Sequence, residues 1–459
     1  MAEYSLEPVE VPSVETRYRR IHTKLPVPES LPVFEALKKA EPRSMLGQPP
    51  VVWHKAEDFT VEDKWGNRWI DWSSCVLVSN VGHGVEAIRN ALRDKIDQGL
   101  IASYVFVHED RARLTAELQA LSPDPETYQV FLLSTGSEAT ENCIKLAKTY
   151  AMETQGPQKR CIVSFLNAFH GRTMGAQLAG GMAKQKKWIG RCDDSFVQVP
   201  FPDGFKNEDT RFELFLETLA EKGVAPQEIA GVITESYQGV GPDFMPEDYA
   251  KKLEAFCREH DICLIFDEVQ AGFGRTGKMF AFQHYGVRPD LIACGKGISS
   301  SLPISAVIGR EDIMGLYAPG SMTSTHSASP LCVAASLANL ELLRNGPYIA
   351  NAAALGETLM TELRRIREKY PSVLGCVTGR GLVAGIQVVK AGAKEPDAET
   401  ATAINERCYQ KGLLMFAPVG IGGECLKIAP PLSITAEALR EGIAVFEEAI
   451  DEILGSAAP

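Results

Sequence analysis

Two apolar runs in this chain each lead into a charged residue. Ile262-Cys-Leu-Ile-Phe266 runs into Asp267-Glu-Val-Gln270, and Asp290-Leu-Ile-Ala-Cys294 runs into Gly295-Lys296-Gly297. A carboxylate and an amine so placed are what pyridoxal phosphate chemistry asks of a protein. The lysine amine holds the aldehyde as a Schiff base, and the acid keeps the pyridine nitrogen protonated so that the ring accepts electrons. The ordinary alternatives stay open on these residues alone: Asp267 as a helix cap, and Lys296 as a surface turn. The flanking glycines favour the chemical reading, because they permit close backbone approach and unusual dihedrals at Lys296.

Two further segments bear on the same chemistry. Ser134-Thr-Gly-Ser-Glu138 follows an apolar run and opens a helix-period segment with Cys143, Ile144 and Ala147 on one face. Its small residues can present backbone N–H groups to a phosphate at the positive helix end, so Gly136 and Ser137 are phosphate candidates, though such a stretch is also an ordinary cap. Phe169-His-Gly-Arg172 lies just past another apolar run. Phe169 is suited to stack on an aromatic ring, with His170 and Gly171 shaping the turn; the plainer reading is a core phenylalanine beside a surface histidine and arginine.

Between about 129 and 310, short apolar runs alternate with helix-length amphipathic segments. The runs are Gln129–Leu133, Cys161–Phe165, Gly231–Glu235, Ile262–Phe266, Leu291–Cys294 and Ser305–Gly309. Continuous apolar strands with helices between them predict an α/β domain, its mostly parallel sheet covered on both faces. Ligands then sit beyond the carboxyl ends of the strands, where Glu235 and Asp267 fall. Before this domain, Asp58 to Trp72 reads as a β-hairpin turning at Asp63–Asn67. The first fifty residues, rich in proline and charge, read as an extended arm that a dimer could order. After it come a helix near Leu331–Arg344, a helix near Ala352–Lys369 and a terminal helix from about Ala436 capped by Thr435. The expected domains are 1–78, an arm and small-domain segment; 79–345, the large domain; and 346–459, the C-terminal small domain.

Composition narrows the partners. With 59 acidic against 47 basic residues the formal charge is −12, which leaves no basic field for nucleic acid or an anionic membrane surface. Eleven cysteines, an odd number without metal-ligand spacing, read as free thiols of a reducing compartment, with no metal site. No run reaches membrane-spanning length and the N-terminus lacks the pattern of a signal peptide, so a cytoplasmic location is expected.

Asp267-Glu-Val-Gln-Ala-Gly-Phe-Gly-Arg-Thr-Gly277, followed by Pro289-Asp290 and Gly295-Lys-Gly297, resembles the signature of class III aminotransferases, the ω-aminotransferase group of fold type I pyridoxal phosphate enzymes. The resemblance extends to Asn80-Val-Gly-His83, Phe169-His-Gly-Arg172, Glu235-Ser-Tyr-Gln-Gly239 and Lys427-Ile-Ala-Pro-Pro-Leu432, and so covers most of the chain. It implies a large domain with a mostly parallel seven-stranded sheet, and a smaller α/β domain built from the N- and C-terminal segments. It also implies a role for each matching residue. Lys296 binds the cofactor and then moves a proton between substrate and cofactor. Asp267 meets the pyridine nitrogen, Val269 and Gln270 flank the ring, Gly136 and Ser137 hold the phosphate, Phe169 stacks with His170 beside it, and Glu235 supports the site. Thr325 reaches the phosphate of a neighbouring subunit, which makes the active unit a homodimer, alone or within a tetramer.

The chain departs from the family pattern where substrate is read. Val240 stands where many members carry a glutamate that neutralises the carboxylate-binding arginine. Lys427 stands in place of that arginine, and lysine offers a point charge without the bidentate fork; a solvated surface lysine is the alternative there. Arg172 is the other candidate for a substrate carboxylate, while Val76 and Leu77 are expected to wall an apolar pocket near Trp72. Ser324-Thr-His-Ser-Ala-Ser-Pro-Leu331 is similar to dialkylglycine decarboxylase, but that branch places a glutamine at the position of Val76, in a strand. The implied activity is transfer of an amino group between an amino acid or ω-amino compound, 4-aminobutyrate-like, and a 2-oxo acid such as 2-oxoglutarate or pyruvate. A racemase or epimerase on the same fold is the alternative. A lyase acting on a phosphorylated amine and a non-enzymatic homologue are the remaining options, and retention of both Lys296 and Asp267 weighs against the last.

Overall fold

A computed structural model describes residues 4–455. The chain divides into two compact units, one running from Glu86 to Ile349 and the other combining the residues up to Val85 with those from Ala350 onward.

The Glu86–Ile349 unit is built on a seven-stranded sheet. Its strands are β1 (Tyr128–Leu133), β2 (Cys161–Phe165), β3 (Phe196–Val199), β4 (Ile229–Glu235), β5 (Cys263–Asp267), β6 (Leu291–Cys294) and β7 (Ser305–Arg310). They lie in the order β1-β7-β6-β5-β4-β2-β3. The pairs from β6 to β3 are parallel, whereas β7 runs antiparallel to both β6 and β1. Every residue of β2, β4, β5 and β6 is buried. Strands buried on both faces show an unbroken apolar run instead of alternation, which is why they are visible in the sequence. The edge strand β3 is short and alternates, and none of the six apolar runs marks it.

The Gly136–Gln155 helix follows β1. Its start is set by a capping box in which Thr135 Oγ1 accepts from the Glu138 N–H at 3.3 Å and Glu138 Oε2 accepts from the Thr135 N–H at 3.0 Å. Ala139, Cys143, Leu146, Ala147 and Ala151 then fall on the face that packs into the main core.

The second unit contains the anticipated hairpin, with Thr60–Glu62 antiparallel to Arg68–Asp71 in a six-stranded sheet. It also holds a three-stranded antiparallel sheet of β8 (Leu374–Gly379), β9 (Ala384–Val388) and β10 (Cys425–Ile428). The terminal helix spans Ala436–Gly455, and the Thr435 hydroxyl accepts from the Ala438 N–H at 3.2 Å. The N-terminal segment is not the wholly extended arm expected. Leu31–Ala40 is a ten-residue helix, because Pro32 falls in its first turn, where a missing N–H costs nothing and the fixed φ suits the helix. The segment also lies on its own chain: Thr16 Oγ1 and Arg19 Nε each donate to Glu441 at 2.6 Å, and the Tyr18 hydroxyl donates to Glu437 at 2.7 Å.

Val76 is not in a strand. Ser74, Cys75, Val76 and Leu77 have φ of 48°, 53°, 58° and 63°, a left-handed turn with no glycine in it. Such backbone costs roughly 1–2 kcal/mol per residue, and surrounding contacts must over-determine it. Asp71 Oδ1 accepts from Ser73 N–H and Oγ–H at 2.7 and 2.6 Å, Asp71 Oδ2 accepts from His83 at 2.7 Å, and the Ser74 hydroxyl donates to the Ala429 carbonyl at 2.6 Å. Val76 is 45% exposed and Leu77 1%. Val76→Gly is therefore expected to stabilise the protein by about 1 kcal/mol, since relief of strain outweighs the entropy glycine adds to the unfolded chain. Leu77→Gly is expected to destabilise it by about 2 kcal/mol through lost burial. Urea-unfolding midpoints moving in opposite directions are the check; a Val76→Gly protein less stable than wild type removes the strain argument.

Candidate active site

Three adjacent strands bring three charged groups to one end of the sheet. Glu235 ends β4, Asp267 ends β5 in direct register with it, and Lys296 lies just past the end of β6. Parallel strands place these ends side by side, so residues far apart in sequence become neighbours. Lys296 is partly buried and has φ of 43°. Burial lowers the pKa of its amine from that of an ordinary lysine, against the opposing charges of Asp267 and Glu235. A lowered pKa enlarges the neutral, nucleophilic fraction of the amine.

Asp267 is held on both oxygens. Oδ1 accepts from the Val269 N–H at 3.0 Å, and Oδ2 accepts from His170 Nδ1–H at 2.9 Å. His170 is 3% exposed, and its Nε2 is buried without a partner among the described residues. The surface histidine of the plainer reading is thus corrected: the ring is inside, and it fixes the orientation of the carboxylate. Glu235 supports the loop that carries Phe169, since Oε2 accepts from the Phe169 N–H at 3.0 Å and Oε1 from the Gly239 N–H at 2.8 Å.

Burial pushes the Glu235 carboxyl up to about 7; Asp267 adds to the shift, while His170 and the two backbone N–H groups oppose it. In the folded protein Glu235 therefore keeps a proton from the ordinary carboxylate pKa near 4.5 up to about 7 that the unfolded chain has released. Its contribution to stability is full below that window and is lost as pH rises through it. Glu268 is pushed up to about 7 by the same cause. Glu235→Gln is accordingly expected to flatten the fall in melting temperature between these pH values, removing roughly 3 kcal/mol of pH-dependent stability. A profile parallel to that of wild type rejects the assignment.

Sequence reasoning did not single out Glu268. It accepts from the Ala281 and Phe282 N–H groups at 2.9 and 2.8 Å and from the Ser236 hydroxyl, and so ties the loop after β5 to that after β4. The Asp-Glu dipeptide at the end of a buried run was its only sequence signal: neighbours in a strand point to opposite faces, so both carboxylates go inward.

The residues present fit pyridoxal phosphate. The capping box engages the Ser134, Thr135 and Glu138 amides, leaving those of Gly136 and Ser137 without partners among the described residues at the positive end of a 20-residue helix. Gly136 and Gly295 let two loops close on Val269: a Cβ on Gly136 would meet Val269 Cγ1 at 2.6 Å, and one on Gly295 at 3.1 Å. A Cβ on Gly239 would stand 2.9 Å from the Gln270 amide nitrogen and 3.0 Å from Glu235 Oε1, so Gln270 joins the same cluster. The partly buried Phe169 carries the Arg172 guanidinium 5.5 Å above its ring centroid, and Arg172 itself is exposed.

Thr325 is exposed, on a segment leading to the Pro330–Asn345 helix. Val76, Leu77 and Lys427 belong to the second unit. Lys427, in β10, is 1% exposed, which overturns the solvated surface lysine. Among the described residues no group of three or more metal-ligating side chains occurs and no helix is long and apolar enough to cross a membrane; all eleven cysteines are free.

A family model described as aminotransferase class-III matches residues 44–450. The 4-aminobutyrate aminotransferase of Mycobacterium leprae is 30% identical over 95% of this chain and 98% of its own. The alanine/serine racemase of Pyrococcus horikoshii is 31% identical over 98% and 96%. The crystal structure of a Bacillus anthracis aminotransferase superposes with a TM-score of 0.84 at 28% identity, covering 92% of this chain and 99% of that one.

Proposed function

The chain belongs to the class III aminotransferases, and from that premise we propose how its own residues carry the reaction and what they accept. The enzyme is a pyridoxal phosphate-dependent aminotransferase that passes an amino group from an amino acid or ω-amino compound to a 2-oxo acid. The observation that carries the assignment of roles is the Glu235, Asp267 and Lys296 constellation at the ends of three adjacent strands.

When bound, pyridoxal phosphate supplies an electron-withdrawing ring that accepts the electrons released as a donor C–H bond breaks. Asp267 holds a proton at the pyridine nitrogen, and His170 keeps that carboxylate in place. Lys296 would hold the aldehyde through its neutral amine and would serve as the general base and acid that moves the donor's proton. The Gly136 and Ser137 amides bind the phosphate. Phe169 and Val269 would exclude water from the ring, Gln270 would stand beside it, and Glu235 fixes the Phe169 loop.

Substrate contacts rest on side-chain chemistry. Lys427 neutralises a carboxylate, and Arg172 reads a second one at the far end of an ω-amino acid. Val76 and Leu77 give an apolar wall, and Val240, without a carboxyl group, provides no charge gate. The active unit is a homodimer with Thr325 reaching the neighbouring phosphate. Its support is an exposed apolar segment: Ile101, Phe106 and Val107 are 53%, 76% and 90% exposed. That segment is joined to the Thr325 stretch, since His108 Nε2 and Ser103 Oγ both approach the Ala328 carbonyl, at 3.0 and 3.4 Å, and the Tyr104 hydroxyl meets Thr323 Oγ1 at 3.4 Å. A second copy of the chain covers such a face most economically.

The test is a screen of single-enantiomer amino acids, 4-aminobutyrate and butylamine, with and without 2-oxoglutarate or pyruvate, on holoenzyme whose mass is read by sedimentation. A 2-oxo product formed only with an acceptor, from a dimer or tetramer, supports the reading. Loss of optical purity without an acceptor and with no 2-oxo product replaces it with a racemase, and a fully active monomer removes the role of Thr325. In the same screen Lys427→Ala is expected to raise KM for amino acids about tenfold or more over that for butylamine; equal effects reject Lys427.

A further inference from the structure

The turn that presents Lys296 is strained at two non-glycine positions. Lys296 and Ser300 have φ of 43° and 52°, and between them Gly297 and Ile298 continue a single 3-10 turn. Left-handed backbone of this kind persists only where neighbouring groups hold it. One side chain from a different element makes three of the hydrogen bonds that do so. Asn339, fully buried in the Pro330–Asn345 helix, donates through Nδ2 to the Gly297 carbonyl at 2.9 Å and the Ile298 carbonyl at 3.0 Å, while its Oδ1 accepts from the Ser300 hydroxyl at 2.7 Å. The two carbonyls require donors and the hydroxyl requires an acceptor, so an amide meets the three demands and a carboxylate does not.

We propose that Asn339 is a positioning residue for Lys296: by clamping the carbonyls of the two residues that follow it, Asn339 sets the direction in which the lysine amine leaves the backbone. The inference rests on the assignment of proton transfer to Lys296. The amine has to reach two atoms in turn from one backbone position, and a displacement of about 1 Å can cost about a hundredfold in rate. Loss of the clamp therefore slows the proton-transfer step and leaves substrate recognition, which belongs to other groups, nearly unchanged. Local bonds add to this support: Ser299 Oγ donates to the Leu302 carbonyl at 2.5 Å and accepts from the Ser301 N–H at 3.2 Å. Asn339 ties the turn to an outside helix.

Asn339→Leu and Asn339→Asp test it, with Ser300→Ala as a milder variant that removes one of the three contacts. Ser336→Ala, a buried site on the same helix whose hydroxyl has no partner among the described residues, serves as the control. Two readouts are taken: steady-state kinetics of the holoenzyme, and the pH dependence of trace acetylation at Lys296 in the cofactor-free protein, followed by mass spectrometry. The second uses no turnover and reports the surroundings of the amine, which Asp267 and Glu235 face. Expected are a kcat lower by about ten- to a hundredfold with KM within about twofold for both Asn339 variants, a shifted acetylation midpoint, a smaller change in the same direction for Ser300→Ala, and none for Ser336→Ala. If an Asn339 variant does not fold, Ser300→Ala decides by the same two readouts. Wild-type kcat and an unmoved midpoint in the folded variants overturn the inference, as does a rise confined to KM. Turnover that survives Lys296→Ala would instead overturn the role of Lys296 and leave the clamp a matter of stability alone.

Discussion

Lys296→Ala is expected to lower kcat/KM for amino-group transfer by at least about 10³-fold, because the proposed mechanism gives one side chain both the binding of the aldehyde and the carriage of the proton. Lys296 lies where Asp267 and Glu235 converge, and burial holds its amine pKa below the ordinary value. Lys296→Arg is expected to be as inactive as Lys296→Ala, since a guanidinium stays charged and cannot act as the neutral nucleophile. The pair of variants separates charge from nucleophilicity. Activity within tenfold of wild type in Lys296→Arg means that the positive charge is what matters and that the proton carrier lies elsewhere.

The second large effect is expected at Asp267. Asp267→Asn keeps the size of the side chain but removes the charge proposed to hold a proton on the pyridine nitrogen, and a fall in kcat of about 10²- to 10³-fold is expected. His170→Leu removes one hydrogen bond to the same carboxylate and leaves its charge, so a smaller loss, about tenfold, is expected. The substitution at Asp267 also has an electrostatic signature outside catalysis. Asp267 raises the Glu235 pKa and opposes the lowering at Lys296. Asp267→Asn should thus narrow from above the pH window in which stability falls, moving its upper end below 7. Pyridoxal phosphate-dependent turnover near the wild-type rate in Asp267→Asn would reject its role at the ring nitrogen.

The positions of these groups were legible to different degrees. Glu235 and Asp267 could be placed at strand ends because β4 and β5 are buried on both faces, and an unbroken apolar run that stops at a carboxylate marks such an end. The caps at Thr135 and Thr435 were equally local, each a side chain and an N–H three residues away. The helix at Leu31–Ala40 was hidden by proline, which breaks a helix interior but suits its first turn. The left-handed turn at Ser74–Leu77 carries no glycine to announce it; it is held by Asp71, His83 and Ala429, the last of them far off in the chain.

Residue types and short-range spacing thus determined the alternation of strand and helix and pointed to the cofactor, while the resemblance of whole motifs implied the family, because Schiff-base chemistry needs a lysine, a pyridine nitrogen needs an acid, and buried parallel strands need apolar runs. Tertiary structure alone decided which groups tune that chemistry. His170 meets Asp267 across 97 positions and Asn339 meets Gly297 across 42. A hydrogen bond between such residues depends on how strands and helices pack, and no local propensity or period in the chain encodes it.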